Sequence, residues 1–544
     1  MPSELPYNKC QQQLQDLLRS RYPLIFLRSP EESRAVQCVV DAHHQVVNSS
    51  GISNGELMEW TSAEGFRRQI VSQQNPDQAE WRVLDRGQTD ANDDPLSQAL
   101  CLLRQRLQTH IVRHPEQQHT YLLPDWSALI RPDHQMMIAR SLKELAIAIE
   151  QKQPRVRMSL IVIGADWSIP SILRNNVHIQ DLPLPIGEEL YENVFSVAVE
   201  RYNLEEQEAR RLAEQAQGMS LQSVTQSAML STTRDLWAKP ESVGQLFLDI
   251  KKQEIRKTGV LEYYAPQGQG LQDVGGLENV KNWVRSRQAW FDQDAKPDLR
   301  PRALLLEGFP GCGKTFIARS IAHQWRVPQI NFEISRLQSR WVGESESNTF
   351  QALRAIEASA PNVLFMDEIE KAFAGVGGDS SGVSTRQFGT FLTWLNDHQY
   401  PIFFIATSND RTKLPPELFR AGRFDEIFIV MPPTSKERFE IIQKRAQAYK
   451  LPPLPPSILK ILGHETAGYS GAELDKLVKE SIYQAEYGHL PTENHWRKAL
   501  SQITPQYKTP RMQDLLRGYL QLLSSGGGIP ASAAEADFWQ TLVV

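Results

Sequence analysis

The stretch ALLLEGFPGCGKTFIARSIA, residues 303–322, constrains the fold more than any other part of the chain. A short apolar run leads into G-x-x-x-x-G-K-T, from Gly308 to Thr315, and a helix-periodic segment follows. Glycines allow the tight turns that aim successive backbone N–H groups into one concavity, and the helix adds its positive N-terminal end. A strand–loop–helix of this kind predicts an α/β fold, a parallel sheet with helices on both faces, that binds ATP with Mg²⁺. Lys314 is expected to reach the β- and γ-phosphates and Thr315 to ligate the metal. Gly308, Pro310, Gly311, Cys312, Gly313 and Phe316 complete the expected phosphate wall. Cys312 precedes a helix start, where thiol pKa values are often lowered. It reads either as an oxidation-sensitive control point or as a small residue that fits the loop.

Two further strands end on polar residues suited to that chemistry. VLFMDEIE closes on Asp367, expected to hold the metal through water, and Glu368, expected to orient or deprotonate the attacking water. IFFIATSND ends at Asn409, placed to hydrogen-bond that water or the γ-phosphate.

Composition excludes several alternatives. The 544 residues carry a formal net charge of −5, so no global basic field draws the chain to nucleic acid or to an anionic membrane. The four cysteines are far apart with no C-x-x-C pair, which fits a reducing compartment rather than a disulfide framework or zinc site. No apolar run reaches the roughly 18 residues of a membrane span, and MPSELPYNKCQQQL lacks the pattern of a secretory signal. A cytoplasmic protein is expected.

The expected organisation has five parts. Residues 1–236 alternate helical patterns with short apolar runs such as PLIFL and SLIVIG; 237–270 read as a helical linker. Residues 271–430 carry the nucleotide motifs on an α/β pattern, and 431–504 are helical only. Residues 505–544 read as a helix, a flexible Gly/Ser/Ala linker and an apolar tail.

In order, the chain shows DVGGLENVKNWV, the phosphate loop, RWVGESES, FMDEIEKAF, ATSND, LPPELFRAGRFDEI and TAGYSGAELDKLVKES. This ordered set resembles the AAA ATPases of the AAA+ superfamily over about residues 270–485. Together with the opening QQLQDLLRSRYPLIFLRSPEESRA, it resembles the AAA proteins known as hypothetical chloroplast reading frame products of cyanobacteria and algal plastids. The resemblance implies that Arg420 and Arg423 act as arginine fingers on the γ-phosphate bound by a neighbouring subunit, and hence a homo-oligomeric ring, a hexamer. It implies that the backbone of Gly275, Gly276 and Leu277 touches adenine. It also implies that Gly471 and Ala472 open a helix of a small helical lid near the adenosine. Trp341, Val342 and Gly343 fall where ring unfoldases carry a pore loop that grips extended polypeptide, and AGVGGDSSGVSTR falls where a second pore loop would lie.

The first 236 residues look like a worn copy of the same module. YPLIFLRSPEESRA stands at the phosphate loop without its glycines or lysine. TYLLPDWSAL keeps Asp125 but places Trp126 at the glutamate position, and Arg174 stands at the place of Arg420. No ATP hydrolysis is expected there. The function expected is ATP-driven remodelling or threading of a protein substrate. The alternative is an ATP-controlled scaffold that binds partners without threading, and a nucleic-acid remodeller is disfavoured by the acidic balance and the lack of a basic stripe.

Overall fold

In the computed structural model the described residues are 5–49, 55–71, 79–83, 95–109, 111–126, 134–153, 155–165, 169–257, 259–266, 268, 270–291, 296–333, 345–373, 383–398, 400–420, 422–485, 487–533 and 536–543. Trp341, Val342, Gly343 and most of the expected second pore loop lie outside them. The chain folds as two units, Met1–Lys251 and Lys252–Val544.

The short apolar runs of the first unit become β1 (Leu24–Arg28), β2 (Gly55–Thr61), β3 (Gly65–Val71), β4 (Ala79–Val83), β5 (Gln118–Pro124), β6 (Arg157–Gly164) and β7 (His178–Asp181). They form one sheet in the order β4-β3-β2-β5-β6-β1-β7. The strands from β2 to β7 in that order are parallel, while β3 and β4 extend the edge as antiparallel hairpins. Successive side chains of a strand face opposite sides, so a sheet covered on both faces needs continuous apolar strands. Leu24, Phe26, Leu160 and Val162 thus enter one core with Leu103 and Leu142. Their neighbours Ile25, Leu27, Ile161 and Ile163 enter the other with Leu14 and Val39.

A helical segment completes the unit around Phe195, Leu212, Trp237, Val243 and Phe247. Its last helix, Pro240–Lys257, begins inside the segment expected to be a helical linker. The linker reading of 237–270 is therefore corrected at both ends. Trp237 and Phe247 are core residues of the first unit, and Leu261–Tyr264 forms strand β8 of the second sheet. The physical reason is burial: both ends carry apolar side chains that a solvated linker would leave in water.

The second unit places β9 (Ala303–Gly308), β10 (Gln329–Phe332), β11 (Asn362–Met366), β12 (Ile402–Ser408), β13 (Glu426–Val430) and β14 (Ile529–Pro530) with β8 in the order β14-β13-β9-β12-β11-β10-β8. All pairings are parallel except β8 against β10. The central order β13-β9-β12-β11-β10 matches β7-β1-β6-β5-β2 of the first unit, strand for strand in order of appearance. One face is covered by Glu278–Arg287 and Lys314–Trp325, through Val280, Val284, Ile317 and Ile321. Four helices between Ser435 and Gln502 form a separate small core that includes Ile442, Leu474, Leu477 and Trp496.

The C-terminal segment departs from its expected flexibility. After the helix Pro510–Ser524 the glycines make a tight turn, with Gly526 at φ +73° and Gly527 N–H on Leu522 C=O at 2.8 Å. The chain then pairs with β13 as β14 and buries Trp539 (1% exposed) and Leu542 against Ile429, Met431, Leu516 and Tyr519. Glycine here supplies a left-handed turn rather than slack.

Candidate functional site

The cradle begins where β9 runs out. Gly308 sits at φ +146°, and a Cβ there would lie 2.1 Å from the Val430 carbonyl oxygen of β13, so only glycine fits. Gly313, at φ +94°, caps the helix Lys314–Trp325. Lys314 folds back into the loop: Nζ donates to the carbonyls of Gly308 (2.8 Å) and Phe309 (3.0 Å) and to Asn409 Oδ1 (2.8 Å). It is 7% exposed, and burial pulls its pKa below the usual lysine range, against the pull of nearby Glu370, Asp367 and Glu368.

The acidic strand end meets this cradle. Asp367 Oδ1 accepts from Thr407 Oγ1 at 2.5 Å, and Thr315 Oγ1 stands 3.2 Å from Asp367 Oδ2. This hydroxyl–carboxylate pair offers hard oxygen donors that fit Mg²⁺, a cation that keeps its remaining shell for phosphate and water. Glu368 adopts φ +48°, rare for a residue with a side chain, and Thr407 Oγ1 accepts from its N–H at 2.8 Å. Its Oε1 accepts from Asn409 Nδ2 at 2.8 Å, and Lys371 pairs with its other oxygen.

The loop, Asp367, Glu368 and Asn409 line one cleft of about 420 Å³, closed on the far side by Val274, Gly275, Leu277, Ile441, Gly471 and Ala472. The lid approaches the loop directly, with Ala472 N–H donating to Gly311 C=O at 2.9 Å. An elongated cleft with a cationic, N–H-rich end and a partly apolar end fits a nucleoside triphosphate.

Comparison with known proteins gives the same assignment. Residues 304–432 match the ATPase family associated with various cellular activities (AAA), and residues 10–182 match the SpoVK-like AAA ATPase N-terminal domain. The uncharacterised AAA domain-containing protein ycf46 of Guillardia theta is 31% identical over 475 residues, 86% of this chain and 85% of that one. Its counterpart in Trieres chinensis is 30% identical over 531 residues, 95% and 97% of the two chains. The chain belongs to the ycf46 family of AAA domain-containing proteins. Among solved structures it is similar to the FIGL-1 AAA domain, with a TM-score of 0.42 and 23% identity over 50% of this chain and 94% of that one.

In this ycf46-family chain the segment Gly275–Leu277 runs between the cleft and the lid. Gly276 and Leu277 give their N–H groups to the lid carboxylates of Glu440 (3.1 Å) and Glu437 (3.0 Å), and Gly276 does not line the cleft. Arg420 is exposed and Arg423 donates to Glu417 C=O at 2.6 Å; neither lines its own chain's cleft. Cys312 is buried, and burial pushes its pKa up to about 12, outweighing the nearby Lys314, which favours the reading of a small residue that fits the loop over an activated thiol.

Sequence reasoning missed Glu370, Arg445, Asp475 and Tyr519. Glu370 Oε1 accepts from Asn409 N–H at 3.0 Å, and its place in DEIE was a legible hint. Arg445 lies 4.8 Å over the Phe316 ring and pairs with Asp475 at the cleft wall, on lid helices without any motif spacing to mark them. Tyr519 OH donates to Asn409 C=O at 2.6 Å, a contact 110 residues along the chain.

In the first unit the segment after β1 is tied to residues far along the chain and borders a cavity of about 850 Å³. Leu221 N–H, at the start of the helix Leu221–Thr233, donates to the Glu31 carboxylate at 2.5 Å. Arg34 binds Glu189 at 2.5 Å and Glu31 at 3.4 Å, all with side chains 4–6% exposed. Trp126 lies in the core, edge to face with Trp60, and Asp125 carries the left-handed backbone, φ +50°, that Glu368 has in the second unit. Arg174 is exposed.

Proposed function

We propose that this chain is a Mg²⁺-dependent ATPase that works as a homo-oligomeric ring, a hexamer, and couples turnover to remodelling a protein substrate. The observation that carries the reading is the continuous chain from Lys314 through Asn409 to Glu368 along one wall of the phosphate cleft. Lys314 has three donors and exchanges its carbonyl contacts for β- and γ-phosphate oxygens when nucleotide enters. Thr315 and Asp367 hold the metal, which when bound neutralises charge on the phosphates. Asn409, held beside Glu368, helps position the attacking water, and Glu368 takes that water's proton. Arg420 and Arg423, remote from their own cleft, serve that of the neighbouring subunit, which makes the ring part of the catalytic unit.

The first unit shares the strand order of the second, and we read it as a nucleotide-free relative. Glu31 holds the start of the helix Leu221–Thr233, and the Glu31–Arg34–Glu189 triad ties the segment after β1 to distant parts of the unit without any nucleotide. No described helix is long and apolar enough to cross a membrane. With four free cysteines, a reducing cytoplasmic setting suits the chain.

The test is a pair of variants. Glu368→Gln is expected to bind ATP, lose at least about a hundredfold in kcat and accumulate the ring, whereas Lys314→Ala fails to bind. A Glu368→Gln chain that turns over at the wild-type rate removes the assigned base. Trp341→Ala separates threading from scaffolding: threading requires that stimulation by an unfolded protein disappears while basal turnover stays, and a scaffold keeps its ATP-dependent partner binding.

A further inference from the structure

All four hydrogen-bonding groups of Asn409 are engaged. Its side-chain amide joins Lys314 and Glu368, its N–H donates to Glu370, and its C=O accepts from Tyr519 OH at 2.6 Å. The two backbone contacts fix where the Asn409 side chain starts, and that position decides whether Oδ1 and Nδ2 can reach Lys314 and Glu368 together. Tyr519 is 3% exposed and sits on the terminal helix Pro510–Ser524.

The same terminal segment grips other parts of the site. Arg411, two residues after Asn409, donates to Gly527 C=O at 2.8 Å and pairs with buried Glu307 at 2.7 Å. Asn279, two residues after Leu277, donates through its side chain to the carbonyls of Pro530 (2.9 Å) and Ser532 (3.1 Å), and through its N–H to Ala531 C=O. Trp539 Nε1 anchors the end of the strap on Pro432 C=O at 2.9 Å. One segment thus bonds Asn409, which lines the cleft beside Glu368, and Asn279, two residues from the cleft-lining Leu277.

We propose that Tyr519 is a positioning residue for hydrolysis, and that residues 510–533, with Trp539 anchoring beyond them, form a strap holding Asn409 in its working position. This role rests on the ATPase reading above. Tyr519 touches no nucleotide-lining surface of the 420 Å³ cleft, so its effect passes through Asn409.

Tyr519→Phe keeps the ring and its packing and removes only the hydroxyl. The expected result is a fall of about tenfold in kcat, an ATP KM and ATP affinity within about twofold of wild type, and an unchanged melting temperature. A purely structural role would move the melting temperature first. Because the effect passes through Asn409, Tyr519→Phe is expected to add no further loss in an Asn409→Ala background, whereas the same factor in both backgrounds overturns the coupling. Glu368→Gln in the same assay separates the two levels of failure. Normal Glu368-dependent turnover that is indifferent to Tyr519→Phe overturns the positioning role alone, and a wild-type chain without such turnover overturns the ATPase reading and this role together.

Discussion

Cys312 stands just before the helix Lys314–Trp325, where backbone N–H groups favour a thiolate. Its side chain, however, is 8% exposed, and losing water costs the charged form more than Lys314 returns. With its pKa pushed up to about 12, the thiol stays protonated near neutral pH. Iodoacetamide at pH 8 is therefore expected to label exposed Cys101 and leave Cys312 unmodified, as read by peptide mass spectrometry. Preferential labelling of Cys312 would contradict the burial argument. Gly308 and Lys314 were legible because their roles come from contiguous residues: the loop makes its own carbonyl and N–H array. Glu370 and Tyr519 were much less so, because each acts on Asn409 from a separate part of the chain, 39 and 110 residues away.

Among elements, the helix that follows each first strand shows what one changed loop does. In the second unit Lys314–Trp325 follows a glycine loop, while in the first Glu32–Ser49 follows SPE without glycines, and the Glu31 carboxylate accepts from Leu221 N–H at the start of a distant helix. Arg34 neutralises part of that buried charge. Arg34→Met removes it and leaves Glu31 and Glu189 facing each other at low exposure, which costs about 3–5 kcal/mol. Thermal unfolding is expected to show an early first-unit transition that ATP does not raise. An unchanged melting curve would mean that the triad is not the brace it is taken for. Continuous apolar runs revealed most of the central strands, whereas β14 has two residues and no run to read. It is a strand because β13 offers an open edge beside it.

For the whole molecule, the separation of Arg420 and Arg423 from their own cleft turns the question of activity into one of assembly. Arg423→Ala subunits keep an intact Glu368, and Glu368→Gln subunits keep an intact finger. Mixing the two inactive variants is expected to restore a measurable fraction of turnover, because some interfaces then pair a good base with a good finger. No recovery at any mixing ratio would count against action across the interface. The sequence by itself determined the phosphate loop, the acidic strand end, the order of motifs and the α/β class, since each depends on local spacing and on which residues can enter a strand or a turn. Only the tertiary structure decided that the helix beginning at Pro240 packs Val243 and Phe247 into the first unit and that Glu31 holds the start of the helix Leu221–Thr233. It alone decided that the C-terminal residues form a buried strap reaching Asn409. The reason is burial between distant segments: Trp539, Tyr519 and Phe247 leave water only when partners far along the chain are brought against them, and no local pattern names those partners.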